Sequence, residues 1–177
     1  LARLGQHRVE MSMRKFQQGV EVLRGETDDP LRVTGSLVDD AEMEAALTAA
    51  SDTLALAGLS ATRAMVGAFH EGPDVVLAAT EWTTTESAVV GLFYDVLGIV
   101  LYRGLAAARL RRADVLAATT AELRPYRRFP AGSHRYTALI AERAYARGRR
   151  RVAARRFRRA AAEALRNEYP HEAALIA

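Results

Sequence analysis

A chain of 177 residues, half of them hydrophobic, with a net charge of +4 and no cysteine, is long enough to bury a core. The missing cysteines exclude disulfides and thiolate metal sites and favour a cytoplasmic home. Its most apolar stretch, residues 88–101, is interrupted by Asp95 and falls short of the roughly 20 residues that span a bilayer. No basic-then-apolar leader opens the chain. It begins at Leu1 and ends inside the helix-like run HEAALIA, which reads as an excerpt of a longer protein.

Ala, Leu, Arg and Glu dominate, so helix is expected throughout. Apolar spacing predicts a helix over residues 6–23, ended by Gly25, then a loop over 26–38 containing Asp28, Asp29, Pro30 and Gly35. Asp39 or Asp40 can cap a helix with Met43, Ala46, Leu47 and Ala50 on one face. After an interruption at Ser51–Asp52, a longer helix runs to about His70 and closes at Gly72-Pro73. Pro73 suits the first turn of the next helix, which includes Val76, Leu77, Ala78 and Trp82.

A turn at residues 83–85 precedes a strongly apolar helix over 86–105, in which Val89, Val90, Phe93, Val96, Leu97, Val100 and Leu101 recur at three- and four-residue steps. A further helix is expected over 113–128, halted near Phe129-Pro130. Ser133 then caps one over 134–147, and Gly148 turns the chain into a helix over 149–166. A break at 167–170 leads into a last helix.

Within 141–160, AERAYARGRRRVAARRFRRA, the residues Ala141, Ala153, Phe157 and Ala160 fall where a helical hairpin needs small or ring-bearing packing groups. Turns near Gly72, Arg111–Arg112 and Gly148 recur at about the period of helical-hairpin arrays. Ala78 and Trp82 take the small and aromatic positions only with a one-residue slip, and the middle turn has no glycine. The fold class expected is all-α: antiparallel hairpins stacked as a tetratricopeptide-like solenoid. Residues 1–177 form one segment: 1–25 the end of a preceding hairpin, 26–38 a loop and 39–177 stacked hairpins.

On those positions, and on the stretches QQGVEVLRGET, ATRAMVGAFHEG and SAVVGLFYDVLGIVLYRGLAAARL, the chain resembles the degenerate tetratricopeptide-like region of large multidomain bacterial signalling proteins. In that family a serine/threonine-kinase-like domain and a STAND-type ATPase precede the helical region, and histidine-kinase or other output modules follow in many members. The resemblance implies a non-catalytic scaffold that holds modules in register and offers a surface to a protein partner. The second helix of the 141–160 hairpin is far richer in Arg than the family pattern demands.

Catalytic chemistry is sparse. No G-x-x-x-x-G-K-[ST] loop is present, and no acid–base pair suggests a small helical-bundle enzyme. Ser36, Ser60, Ser87 and Ser133 lack an adjacent base. His7, His70, His134 and His171 are scattered without metal-ligand spacing, so exposed or capping histidines are expected and no cofactor is implied. Trp82, Phe93, Tyr94, Tyr102, Tyr136 and Tyr145 read as packing contacts.

Charge is the one uneven feature. Residues 1–90 carry 7 basic and 14 acidic groups, whereas 91–177 carry 18 and 7. All the basic residues but Lys15 are Arg, which also fits a GC-rich coding bias. Arg147, Arg151, Arg155 and Arg158, widened by Arg159, form a stripe at helical steps. It is either a solvated face or a cationic strip for an acidic domain, a phosphate group or nucleic acid. The alternative is the helical sensor domain of a transcriptional regulator with a basic surface for nucleic acid, but no reading module or stacking aromatics accompany the arginines.

Overall fold

The structure, a computed structural model, describes residues 2–70, 72–81 and 96–177, with the backbone alone for 2–9, 11 and 12. Every regular element among the described residues is helical, so the chain is all-α. None of these helices is long and apolar enough to cross a membrane. The expected turn at 83–85 and the packing roles given to Trp82, Val89, Val90, Phe93 and Tyr94 lie outside the described residues. The chain divides into two compact units, Leu1–Tyr94 and Asp95–Ala177.

The first unit contains α1 (Ala2–Leu23), α2 (Asp40–Ala49), α3 (Thr53–Phe69) and α4 (Pro73–Ala79). The other three helices all pack on α3. Asp39 is the cap of α2, its carboxylate accepting the Glu42 N–H at 2.9 Å. Asp40 instead meets Arg63 of α3, whose Nη2 also reaches Glu44 at 2.7 Å, pinning α2 to α3. Asp52 caps α3 through the Ala55 N–H. Val22, Val33 and Val66 form one apolar cluster, and Val38, Met43, Leu47 and Leu59 another. Ala46 and Ala50, expected beside Met43 and Leu47, face solvent, as does Ala78; in α4 the buried residues are Val76 and Ala79.

The second unit contains α5 (Val96–Arg109), α6 (Ala113–Leu123), a 3₁₀ turn (Arg124–Tyr126), α7 (Pro130–Ala146), α8 (Arg150–Arg166) and α9 (Pro170–Ile176). α5 packs on α6 and α7, α7 on α8, and α8 on α9. A Cβ at Gly104 of α5 would lie 2.6 Å from the Leu139 side-chain methyls of α7, so any larger residue there would push Leu139 aside. Leu101, Leu123 and Leu139 are fully buried, as are Ala141, Ala160 and nearly so Ala153; Phe157 is half-buried.

Several boundaries depart from the sequence expectation: α1 starts at Ala2 rather than near residue 6, and α5 runs to Arg109 rather than 105. The helix expected to reach Arg128 gives way to the 3₁₀ turn, because Pro125 cannot donate to the α-helical ladder and its ring crowds the preceding turn. α7 starts at Pro130, not after Ser133; proline is preorganised for a first helical position, and the Ser133 N–H already bonds to the Phe129 carbonyl at 2.9 Å.

Among the described residues five helix ends share one backbone motif. In each, a residue with positive φ bonds back three residues and the next residue bonds back five: Gly25, Ser51, Arg111, Gly148 and Glu168. Glycine occupies two of these positions, and side chains with a left-handed backbone occupy three.

Candidate functional site at the arginine-rich turns

In the second unit, the α5–α6 turn and the α7–α8 turn both meet the last turns of α7, and each borders a recess. The first recess, about 700 Å3, has Arg109, Arg111 and Arg112 on the α5–α6 side and Glu142 and Tyr145 on the α7 side. Burial pushes the Glu142 carboxyl up, and the Arg109 charge opposes that shift. Arg112 is drawn aside at 3.5 Å by exposed Asp114.

The second recess, about 180 Å3, lies in the α7–α8 hairpin. It is lined by Arg143, Arg147, Arg149 and Arg156, with Ile140, Ala144 and Val152 supplying apolar surface. No carboxylate among the described residues lines it. Gly148 builds this corner: at φ 74° its N–H bonds the Tyr145 carbonyl and the Arg149 N–H bonds the Ala144 carbonyl, so the chain reverses within three residues. Arg156 is fixed from α8, donating through Nη1 to the Ile140 carbonyl at 3.2 Å. Arg143, Arg147 and Arg149 have no carboxylate within ion-pair distance among the described residues. Arg149 stands at the N-cap of α8 without a capping side-chain bond, and no acidic residue occupies the first turn. Arginines there oppose the positive end of the helix dipole, an arrangement that an anion would relieve.

The expected stripe is divided. Arg147 ends α7 and is not on α8, because the helix breaks at Gly148. It lines the small recess, whereas Arg151, Arg155, Arg158 and Arg159 are exposed along α8. Arg159 pairs with Glu163 at 2.7 Å. Periodicity along one helix missed Arg143 and Arg149, which come from the other helix and the turn, and Arg156, which points at α7. Tyr145, expected as a packing contact, is 56% exposed beside the larger recess, while Tyr102 is buried.

A second constellation lies at the opposite end of α7, which is about 25 Å long. His134, Arg135 and Glu172 are all fully buried. Arg135 donates to both carboxylate oxygens of Glu172, from Nη2 at 2.6 Å and from Nε at 2.9–3.0 Å. His134 Nε2 meets Glu172 Oε2 at 2.6 Å, and its Nδ1 faces the Pro130 carbonyl at 3.2 Å. The Tyr169 ring lies 4.7 Å from the Arg135 guanidinium. Burial pushes the Glu172 carboxyl up, but the His134 and Arg135 hydrogen bonds and the Arg135 charge outweigh it and hold the group below its ordinary value.

His134 is therefore a buried partner of Glu172, where an exposed or capping role was expected. No side-chain surface in this trio reaches solvent, so a substrate has no access to it; its chemistry is structural, tying α9 to α7. Among the described residues no three His, Asp or Glu side chains gather as a metal ion requires. Comparison of the chain with protein-family models, with curated proteins and with solved structures found no match, so the arginine-lined turns themselves carry the functional reading.

Proposed function

We propose that this chain is a non-catalytic helical-hairpin scaffold, stacked in a tetratricopeptide-like manner, within a cytoplasmic signalling ATPase or kinase. Its arginine-rich turns dock an acidic segment of a protein partner. One observation carries the docking reading: arginines from α5, α7, α8 and their turns line two neighbouring recesses, and the smaller has no carboxylate in its lining among the described residues. Cationic concavities raise the local concentration of anionic partners and speed their encounter.

Further support for stacking comes from α1, where Met13, Phe16 and Val20 repeat at helical spacing and are 40–55% exposed. A neighbouring helix of a larger array would cover such a row. The scaffold role in a signalling protein rests on the resemblance of the helical stretches.

Fluorescence anisotropy of a labelled acidic peptide, titrated with the 177-residue chain at low and high salt, tests the docking. Saturable binding that weakens with salt and with Arg111→Gln/Arg112→Gln supports it. Tighter, steeply salt-dependent binding of duplex DNA would replace this reading with the nucleic-acid one. ATP turnover by the pure chain would overturn the non-catalytic assignment.

A further inference from the structure

We infer that the small recess in the α7–α8 hairpin is a binding site for a phosphoryl group, formed by Arg143, Arg147, Arg149 and Arg156. The inference deepens the docking reading, and rests on it only for the identity of the molecule that carries the phosphate.

Charge, donor number and size converge on this ligand. Four arginines line one recess, and no carboxylate joins them among the described residues. A carboxylate is satisfied by a single arginine fork, leaving the other cations uncompensated. A phosphomonoester carries close to two charges and three strong acceptor oxygens, enough for several forks at once. At about 180 Å3 the recess holds a phosphate and little more; pockets for drug-sized ligands and cofactors run to roughly 300–1,000 Å3. A nucleotide would have to leave its base and sugar outside.

The backbone brings the four together from separate places, and one of them is held by a hydrogen bond. Arg143 and Arg147 lie four residues apart on adjacent turns of α7, Arg149 comes from the Gly148 corner, and Arg156 is anchored by its bond to the Ile140 carbonyl. Nη1 of Arg156 is used in that bond, and among the described residues no acceptor meets its other N–H groups. A fork held as Arg156 is loses less side-chain freedom on binding phosphate than a mobile surface cation does. The unopposed N-terminal end of α8 adds to the same positive field.

The test titrates the full 177-residue chain with inorganic phosphate by calorimetry in about 50 mM sodium chloride. Saturable binding with Kd below about 1 mM is expected. The Arg147→Gln/Arg149→Gln variant, altered at two exposed positions, should weaken it about tenfold or more with the thermal midpoint unchanged. Arg128→Gln/Arg166→Gln removes the same charge from exposed positions at the other end of α7 and α8 and should leave the affinity within about twofold.

No saturation by about 10 mM phosphate would overturn the site, as would equal weakening by both variants, which would mark a diffuse charge effect. In a second arm, a phosphoserine peptide that outbinds inorganic phosphate and its own unphosphorylated form places the group on a protein. The reverse order makes it a site for a small free ion, and either order sustains the phosphoryl assignment. Phosphate binding without acidic-peptide binding would remove the docking reading and leave the site standing; the opposite pattern would do the converse.

Discussion

His134 and Glu172, 38 residues apart in the chain, meet at 2.6 Å with neither side chain exposed to solvent. The same carboxylate receives two nitrogens of Arg135. Asn167 Nδ2 adds a bond to the Pro130 carbonyl that also faces His134, so the link between α8 and α9 is tied to the start of α7. α9 is only 7 residues long, too short to be stable by itself. Its place in the fold therefore depends on Glu172, helped by burial of Ala173 and Ile176.

Removing the charge of Glu172 leaves Arg135 buried without a counter-ion. Glu172→Gln is expected to destabilise the second unit by about 3–5 kcal/mol. Replacing both partners, Arg135→Met/Glu172→Met, should recover part of that loss, since no unpaired charge remains between them, while buried His134 Nε2 still loses its partner. Urea denaturation followed by circular dichroism measures both. Because the folded carboxyl titrates below its unfolded value, its contribution is present above the unfolded pKa and is lost as pH falls through the folded one. Acidification should accordingly weaken the wild type more than the double variant.

Lys15, the chain's one lysine, is 1% exposed and donates to the Ala55 carbonyl at 3.2 Å. Burial lowers its pKa from 10.5 to about 8, against an opposing effect of Asp52. Below pH 8 the unfolded and folded chains both hold the proton, and folding bears the full cost of burying the charge. As pH rises from about 8 to 10.5 the folded chain has released the proton while the unfolded chain still binds it, so this group's effect on stability improves. Lys15→Met should therefore gain most over the wild type near neutral pH. Its advantage should shrink by on the order of 3 kcal/mol by pH 10.5. Paired urea titrations across that interval measure the change; a constant difference would contradict it.

At the helix ends, the same turn is made by glycine at 148 and by arginine at 111. Gly148→Ala places a Cβ in the left-handed region and should cost about 1 kcal/mol. Arg111→Gly removes that strain and should stabilise by about 0.5–1 kcal/mol, less the flexibility that glycine adds to the unfolded chain. Thermal denaturation should move the two midpoints in opposite directions. If both fall, the left-handed backbone at Arg111 is not the strained element.

Much of the secondary structure was legible because its signals are local. Asp39, Asp52, Gly25 and Gly148 act on backbone groups within a few residues, and Met43 and Leu47 declare one face of α2 by their spacing. The turns at Ser51 and Glu168 were placed as breaks with no sign of their form, since a left-handed backbone at a non-glycine residue leaves no compositional mark. Pro125 was passed over: the good helix formers around it carried the expected helix to Arg128, and the proline outweighs them.

The arginines show where local pattern ends. Spacing joined Arg147 to Arg151, Arg155 and Arg158, yet Gly148 separates them, and the small recess recruits Arg143, Arg149 and Arg156 from three different places. Likewise His134 and Glu172 carried no metal-like or catalytic spacing, and only the return of the chain through α8 brings them together.

By itself the sequence determined that this chain is helical, where most helices start and stop, and that its positive charge gathers in the second half. Those properties follow from backbone propensity, capping and composition, which act over a few residues. Tertiary structure alone decided which arginines share a recess and which carboxylate is buried with a histidine and an arginine. Such meetings depend on helices packing across tens of residues, where no periodicity along the chain encodes the partner.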